Sequence, residues 1–233
     1  MKYIPKKTAN TLCKSYTIYY FSKMITKTIF RDQVREYLLQ QMREGNLNAG
    51  ESVNLAALAR KLNVSVTPIR EALTQLQQSQ VIEAIPNRGF FIKELSHNEA
   101  KNLYELVAQL EVLALEQSVF DEETIAALRL QQKLIQEAED PLDRINAYME
   151  FHHLLTKNYR NAVAQQILRD LKTRVFLYEK AFMSDESFYY NSDNQHEAII
   201  SAIEDNNVPS AALVLKMNWY LVQDFIEKQL VVL

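Results

Sequence analysis

Glycine and proline are scarce in this chain, 3 and 5 in 233 residues. So few turn formers and helix breakers argue against a turn-rich β fold and favour long helices. The single cysteine, Cys13, excludes a disulfide framework within the chain and fits a reducing, cytoplasmic setting. No apolar run reaches the roughly 18 residues that would cross a bilayer, so no membrane partner is expected. G-x-S-x-G, H-E-x-x-H and a glycine-rich phosphate loop are all missing, so an enzyme is not expected.

What is present is enough apolar material, 48% of residues, to fill the cores of one large or two small domains. Charge is divided unevenly. Residues 1–95 carry 14 Lys/Arg against 7 Asp/Glu, and residues 96–233 carry 12 against 22, within a net charge of −3. A basic first part attracts a polyanion that the acidic second part repels. Part of the basic excess lies in Lys2, Lys6, Lys7, Lys14 and Lys23. Residues 1–25 read as a disordered basic tail, with Met24 as an alternative start. The sharper reading of that tail is an arm that follows DNA phosphates.

Residues 26–94 read as one domain. Phe30, Val34, Tyr37, Leu38 and Met42 mark one face of a helix. Asn54 caps a short helix over 55–62, and Asn63-Val64 turns the chain. Ser65 or Thr67 opens a third helix with Pro68 in its first turn. Ile69, Ala72, Leu73 and Leu76 form its apolar face; Arg70, Thr74, Gln75 and Gln78 form its polar face. Val81–Ile85 and Phe90–Lys93 read as strands joined by the turn Pro86-Asn87-Arg88-Gly89. Three helices and a hairpin make a winged helix-turn-helix, whose third helix suits the major groove of duplex DNA.

The run from Asn54 to Leu73 resembles the signature of the GntR family of regulators, and Ile85–Ile92 is similar to that family's wing. The resemblance covers residues 28–93. It implies a homodimer that reads a palindromic double-stranded operator, with Ser65, Val66, Thr67, Arg70, Thr74, Asn87, Arg88 and Gly89 at the DNA. One departure concerns Val66, where the family commonly places an arginine. An arginine–guanine pair gives roughly 1–3 kcal/mol of discrimination. Valine cannot make that pair, so the operator should differ from the family's common one.

Residues 96–233 read as an all-α antiparallel bundle, with helices near 97–119, 122–138, 141–158, 161–183, 192–206 and 208–230. Ser96-His97-Asn98-Glu99 has the pattern of a capping box. This part resembles the FCD-type ligand-sensing domain of the FadR-like branch, through Leu103–Leu106 with Leu110-Glu111, Phe151-His152 with Leu155, and His196 with Ile199, Ala202 and Ile203. Many such domains hold a divalent metal with one Asp and three His. Those positions fall here at Tyr148, His152, His196 and Asn218. Three readings stand: His152 and His196 retain a Zn²⁺ or similar ion on an incomplete ligand set, they line a metal-free effector pocket, or they are core histidines. Val107 replaces an arginine that often grips an anionic effector. Arg174 is a candidate to replace its charge in the pocket, with a surface salt bridge as the alternative. The late aromatics, Phe176, Tyr178, Phe182, Phe188, Tyr189, Tyr190, Trp219, Tyr220 and Phe225, read as core, interface or pocket wall.

The expectation is a transcriptional regulator, a repressor in the common family mode. Its operator affinity would be controlled by a small molecule, for instance an organic acid, in the C-terminal helices. The alternative is a DNA-binding dimer whose C-terminal domain is only a dimerisation scaffold.

Overall fold

The computed structural model describes residues 30–182 and 186–231; the basic stretch read at 1–25 lies outside them, as do the side chains of Phe188, Tyr189 and Tyr190. Helix α1 spans residues 30–43 and buries Val34, Leu38, Leu39 and Met42. It is followed by β1 (Ser52–Val53), α2 (Leu55–Leu62), α3 (Val66–Gln78), β2 (Ile82–Ile85) and β3 (Gly89–Ile92). The sheet is antiparallel in the order β1-β3-β2, with Phe90 facing Val53 on one side and Ala84 on the other. This is the winged helix expected from sequence, with one addition. β1 is a two-residue strand, too short to leave a period in the sequence, and it closes the far edge of the wing.

Local chemistry sets the helix ends. Asn54 Oδ1 accepts the Ala57 N–H at 2.9 Å, and α2 ends on Asn63 in the left-handed region at φ 52°. Asparagine tolerates that region better than most residues. On α3, Pro68, Ile69, Ala72, Leu73 and Leu76 are all buried, one continuous face against α1 and the sheet. Truncating such a leucine or isoleucine to alanine costs about 2–5 kcal/mol.

The second unit is six helices: α4 (His97–Glu116), α5 (Glu122–Glu137), α6 (Pro141–Thr156), α7 (Ala162–Phe182), α8 (Glu186–Glu204) and α9 (Val208–Val231). α4 is central and packs on α9, α7 and α6. Asp121 and Asp140 cap α5 and α6 through their carboxylates, and Pro141 occupies the first turn of α6. α8 begins at Glu186 rather than near 192. Among the described residues, no helix is long and apolar enough to cross a membrane.

α7 belongs to both units. Its Leu177 is buried in the winged-helix core with Leu38, Met42 and Leu73. Its Lys180 Nζ donates to the carbonyls of Leu47 at 3.0 Å and Met42 at 3.4 Å. Its Asp170 pairs with Arg35 of α1 at 3.4 Å.

Candidate nucleic-acid interface and sensor site

The polar face of α3 is open. Ser65, Val66, Thr67, Arg70 and Thr74 are all exposed, and Val66 is 41% accessible. Ser65 is the N-cap of α3 but makes no side-chain cap bond. Its hydroxyl is therefore not committed to capping the first turn, whose N–H groups carry the positive end of the helix dipole. Thr74 Oγ1 donates to the Arg70 carbonyl at 2.9 Å, which leaves its oxygen as an acceptor.

The wing is shaped by its turn. Arg88 N–H donates to the Ile85 carbonyl at 3.0 Å, with Pro86 at the second position and Asn87 at φ 61° at the third. That is the residue pattern of a type II turn. Gly89 has φ 103°, and a Cβ built there meets nothing within 4 Å, so the glycine serves the backbone angle and leaves an open tip. The Arg88 guanidinium lies 5.0 Å from the Phe91 ring centroid, a rest position on the wing's own surface.

In the helical unit the structure gathers the four positions singled out from sequence. The Tyr148 and His196 rings are 4.8 Å apart and the His152 and His196 rings 5.4 Å apart, while His196 stacks on Phe151 at 4.1 Å. Asn218 lies beside the His196 ring, but neither ring nitrogen has a partner of hydrogen-bond geometry. Tyr148, His152, His196 and Asn218 are all buried. Val107 is also fully buried, among apolar neighbours.

Around them sit charged groups that sequence reasoning missed. Glu111 is completely buried; its Oε2 accepts from Trp219 Nε1 at 2.7 Å and lies 2.7 Å from His152 Nδ1, while Lys172 Nζ sits against its Oε1. Burial pushes the Glu111 carboxyl up, but the Lys172 ammonium and His152 outweigh it and hold the pKa at about 2. Glu179, buried nearby, goes the other way: burial and the Glu111 charge raise it to about 8, against the pull of Lys172. Tyr148 Oη donates to Asp193 Oδ1 at 2.6 Å, and Arg144 holds Asp193 Oδ2 at 2.6 Å. Glu111, Lys172 and Glu179 stand within the apolar stripes of α4 and α7. A charge in such a stripe was the available signal.

These residues do not fit a divalent metal. The nearby carboxyl groups offer no free charge: Glu111 is neutralised by Lys172 and Asp193 by Arg144, and burial favours the protonated form of Glu179. Burial and the Asp193 charge push the Tyr148 phenol well above its usual range, so it keeps its proton. What remains is two imidazoles and the unpaired Asn218 Oδ1, no negative charge for a buried dication. Among the described residues no group of three or more His, Cys, Asp or Glu is arranged for a metal. The unpaired atoms suit a hydrogen-bonding ligand: burial drives the His196 pKa far down, His152 adding to the shift and Asn218 opposing it, so the ring stays neutral with one donor and one acceptor.

Arg174 corrects the sequence reading. It is neither in this cluster nor at the surface, being 2% exposed at the joint between the units. Its guanidinium pairs with Glu99 at 2.6 Å and donates to the carbonyls of Lys93 and Glu94, each at 3.2 Å. Burial raises the Glu99 carboxyl, but Arg174, Lys93 and Tyr178 together hold it below its ordinary value. This changes the capping box. Ser96 Oγ accepts the Glu99 N–H at 3.3 Å, but Tyr178 Oη, not Glu99, takes the Ser96 N–H, at 2.9 Å.

Comparison with known proteins agrees with both units. Residues 30–92 match the family described as bacterial regulatory proteins, gntR family, and residues 102–217 match the FCD domain. The HTH-type transcriptional regulator YdhC of Bacillus subtilis (strain 168) is 28% identical over 152 residues, 63% of this chain and 68% of YdhC. The Nta operon transcriptional regulator of Aminobacter aminovorans is 43% identical over 83 residues, 34% of this chain and 39% of that protein. The D-xylose utilization operon transcriptional repressor of Paenarthrobacter nicotinovorans, so named as probable, is 28% identical over 93 residues, 40% of this chain and 41% of its own length. The chain thus spans about two fifths of the latter two relatives. Among solved structures, a GntR regulator from Rhodococcus sp. RHA1 superposes with a TM-score of 0.73 at 20% identity, covering 86% of this chain and 97% of its own. E. coli McbR/YncC gives 0.73 at 19%, covering 86% and 98%; these two likenesses speak for the fold. With both units matched in this order, the chain belongs to the GntR family of transcriptional regulators, a winged helix followed by an FCD effector-binding domain.

Proposed function

We propose that the protein is a homodimeric repressor that reads a palindromic operator and releases or tightens on it when a small molecule binds among Tyr148, His152, His196 and Asn218. The α3 face supplies Arg70 for a base edge or phosphate, the Val66 side chain for a thymine methyl, and the α3 N-terminus for a phosphate. The wing brings Arg88 to the backbone or minor groove, with Asn87 and Gly89 leaving room for it. Exposed Leu106 and Leu113 on α4, with Leu213 and Met217 on the adjacent α9, offer apolar surface for a second copy. The name of the Paenarthrobacter relative supports repression.

One observation carries the control of DNA binding by ligand. α7 places Lys172 in the sensor cluster and Arg174, two residues on, at the joint. A ligand that shifts the cluster shifts the strut that holds the winged helix. Coupling of this kind requires the ligand to bind two domain arrangements unequally. The pattern of unpaired atoms favours a ligand with both donor and acceptor groups, such as a hydroxyl-bearing or protonated acid. A pure scaffold would leave the His196 ring nitrogens and Asn218 Oδ1 buried without partners, which costs about 1–3 kcal/mol per group.

The test is selection of bound genomic fragments by the purified dimer, followed by a thermal-shift screen of small organic acids and polyols and a repeat of the binding with each hit. Enriched inverted repeats and a hit that changes affinity support the proposal. Fragments without shared sequence, or hits that leave affinity untouched, count against operator reading and effector control respectively.

A further inference from the structure

A cavity of about 170 Å³ lies between α1 of the winged helix and helices α6 and α7 of the helical domain. Met42, Met149 and Phe176 give it apolar walls; Arg43, Arg169 and Lys172 give it positive charge; no Asp or Glu lines it. Two of the cations are engaged, Arg43 with Glu36 at 2.6 Å and Lys172 with Glu111. Arg169 is exposed and donates to Gln166 Oε1 at 2.8 Å; among the described residues no carboxylate pairs with it. The field reaches His153: partial desolvation lowers its pKa, Glu150 opposes, and Lys172, Lys157 and Arg169 lower it further. A cavity of about 150 Å³ with apolar walls holds a benzene ring.

We propose that this junction is a second ligand site, one that takes a small carboxylate of benzoate size, its ring between Met42, Met149 and Phe176 and its carboxylate between Arg169 and Lys172. The site borders the His152–His196 cluster at Lys172 and does not depend on a ligand there. Its occupant touches α1 on one side and α6 and α7 on the other, so it binds one arrangement of the two domains. A carboxylate at Lys172 competes with Glu111 for the ammonium. Glu111 also holds the indole N–H of Trp219, the chain's single tryptophan. Occupancy is therefore readable in Trp219 fluorescence.

The experiment uses the full chain, with benzoate and its neutral isostere benzamide as probes, by calorimetry and by Trp219 fluorescence. Benzoate is expected to bind with one midpoint in both readouts. Benzamide and the Arg169→Gln variant should each weaken binding about tenfold or more, the usual scale for a charge-assisted hydrogen bond. His196→Phe should leave it unchanged. Absence of saturable benzoate binding, equal affinity for benzamide, or an unaffected Arg169→Gln variant overturns the junction site. Loss of binding in His196→Phe with none in Arg169→Gln also overturns it, while supporting a ligand in the core.

Discussion

Arg174 and Glu99 meet at 2.6 Å within the sensing domain, at its joint with the DNA-binding domain, and the same guanidinium reaches over that joint to the carbonyls of Lys93 and Glu94. Sequence separates the pair by 75 positions. The bond makes α7 a strut: what moves α7 moves the chain that leaves the wing.

Arg174→Met should therefore loosen the joint. Breaking a buried pair by removing one partner costs about 3–5 kcal/mol, and Glu99, one-fifth exposed and still near Lys93, places the loss at the lower end. At about 2–4 °C per kcal/mol the melting temperature should fall several degrees. Amide exchange over residues 93–99 should rise, and the effect of any effector on DNA affinity should shrink. Unchanged exchange there rules out the strut.

Glu179 predicts a pH dependence. Its folded pKa, about 8, lies above the ordinary 4.5, so the folded protein binds more protons than the unfolded chain between those values. Stability then falls as pH rises from about 4.5 to about 8. Glu179→Gln removes this slope: the variant should melt higher than wild type at pH 8, with the gap closing towards pH 4.5. Parallel melting curves across that range contradict a buried, raised Glu179.

His196→Phe tests the sensor cluster. The ring stacks on Phe151 with both nitrogens unpaired and buried, so a phenyl group removes unsatisfied polar atoms at similar volume. The variant should be as stable as wild type or up to about 2 kcal/mol more so without ligand, and should lose its effector response. Marked destabilisation means those nitrogens have partners.

Val66→Arg should alter operator choice. The position is exposed at the start of α3, where an arginine reaches guanine O6 and N7. In binding-site selection the variant should gain a guanine at one position of each half-site, with discrimination of about 1–3 kcal/mol. An unchanged selected sequence removes position 66 from the base contacts.

The winged helix was legible in the sequence because Ile69, Ala72, Leu73 and Leu76 repeat at helical spacing and the Pro86–Gly89 turn separates two short apolar runs. β1 was not, since two residues carry no period. The start of the first sensor helix was legible from the Ser96-His97-Asn98-Glu99 pattern; the caps Asp121 and Asp140 were not singled out. The start of α8 was not legible, because nothing between 183 and 192 breaks a helix. Tyr148, His152, His196 and Asn218 do come together, as their family positions implied. Their neutralised surroundings were hidden, because Glu111, Lys172 and Asp193 come from three different helices and only packing makes them neighbours. Arg174 was misplaced for the same reason, its partners Lys93, Glu94 and Glu99 lying far upstream, in the linker and in the first turn of α4.

Whether the exposed face of α3 reads DNA sequence is decided by a fluorescence-anisotropy titration at fixed salt. Wild type and Arg70→Ala are compared on the best-selected genomic fragment and on random competitor. Wild type should prefer the fragment by about 10³-fold or more. Arg70→Ala should lose roughly 5- to 150-fold on it while remaining dimeric. Equal affinity of wild type for fragment and competitor, at every salt concentration tried, means that the α3 face does not read sequence.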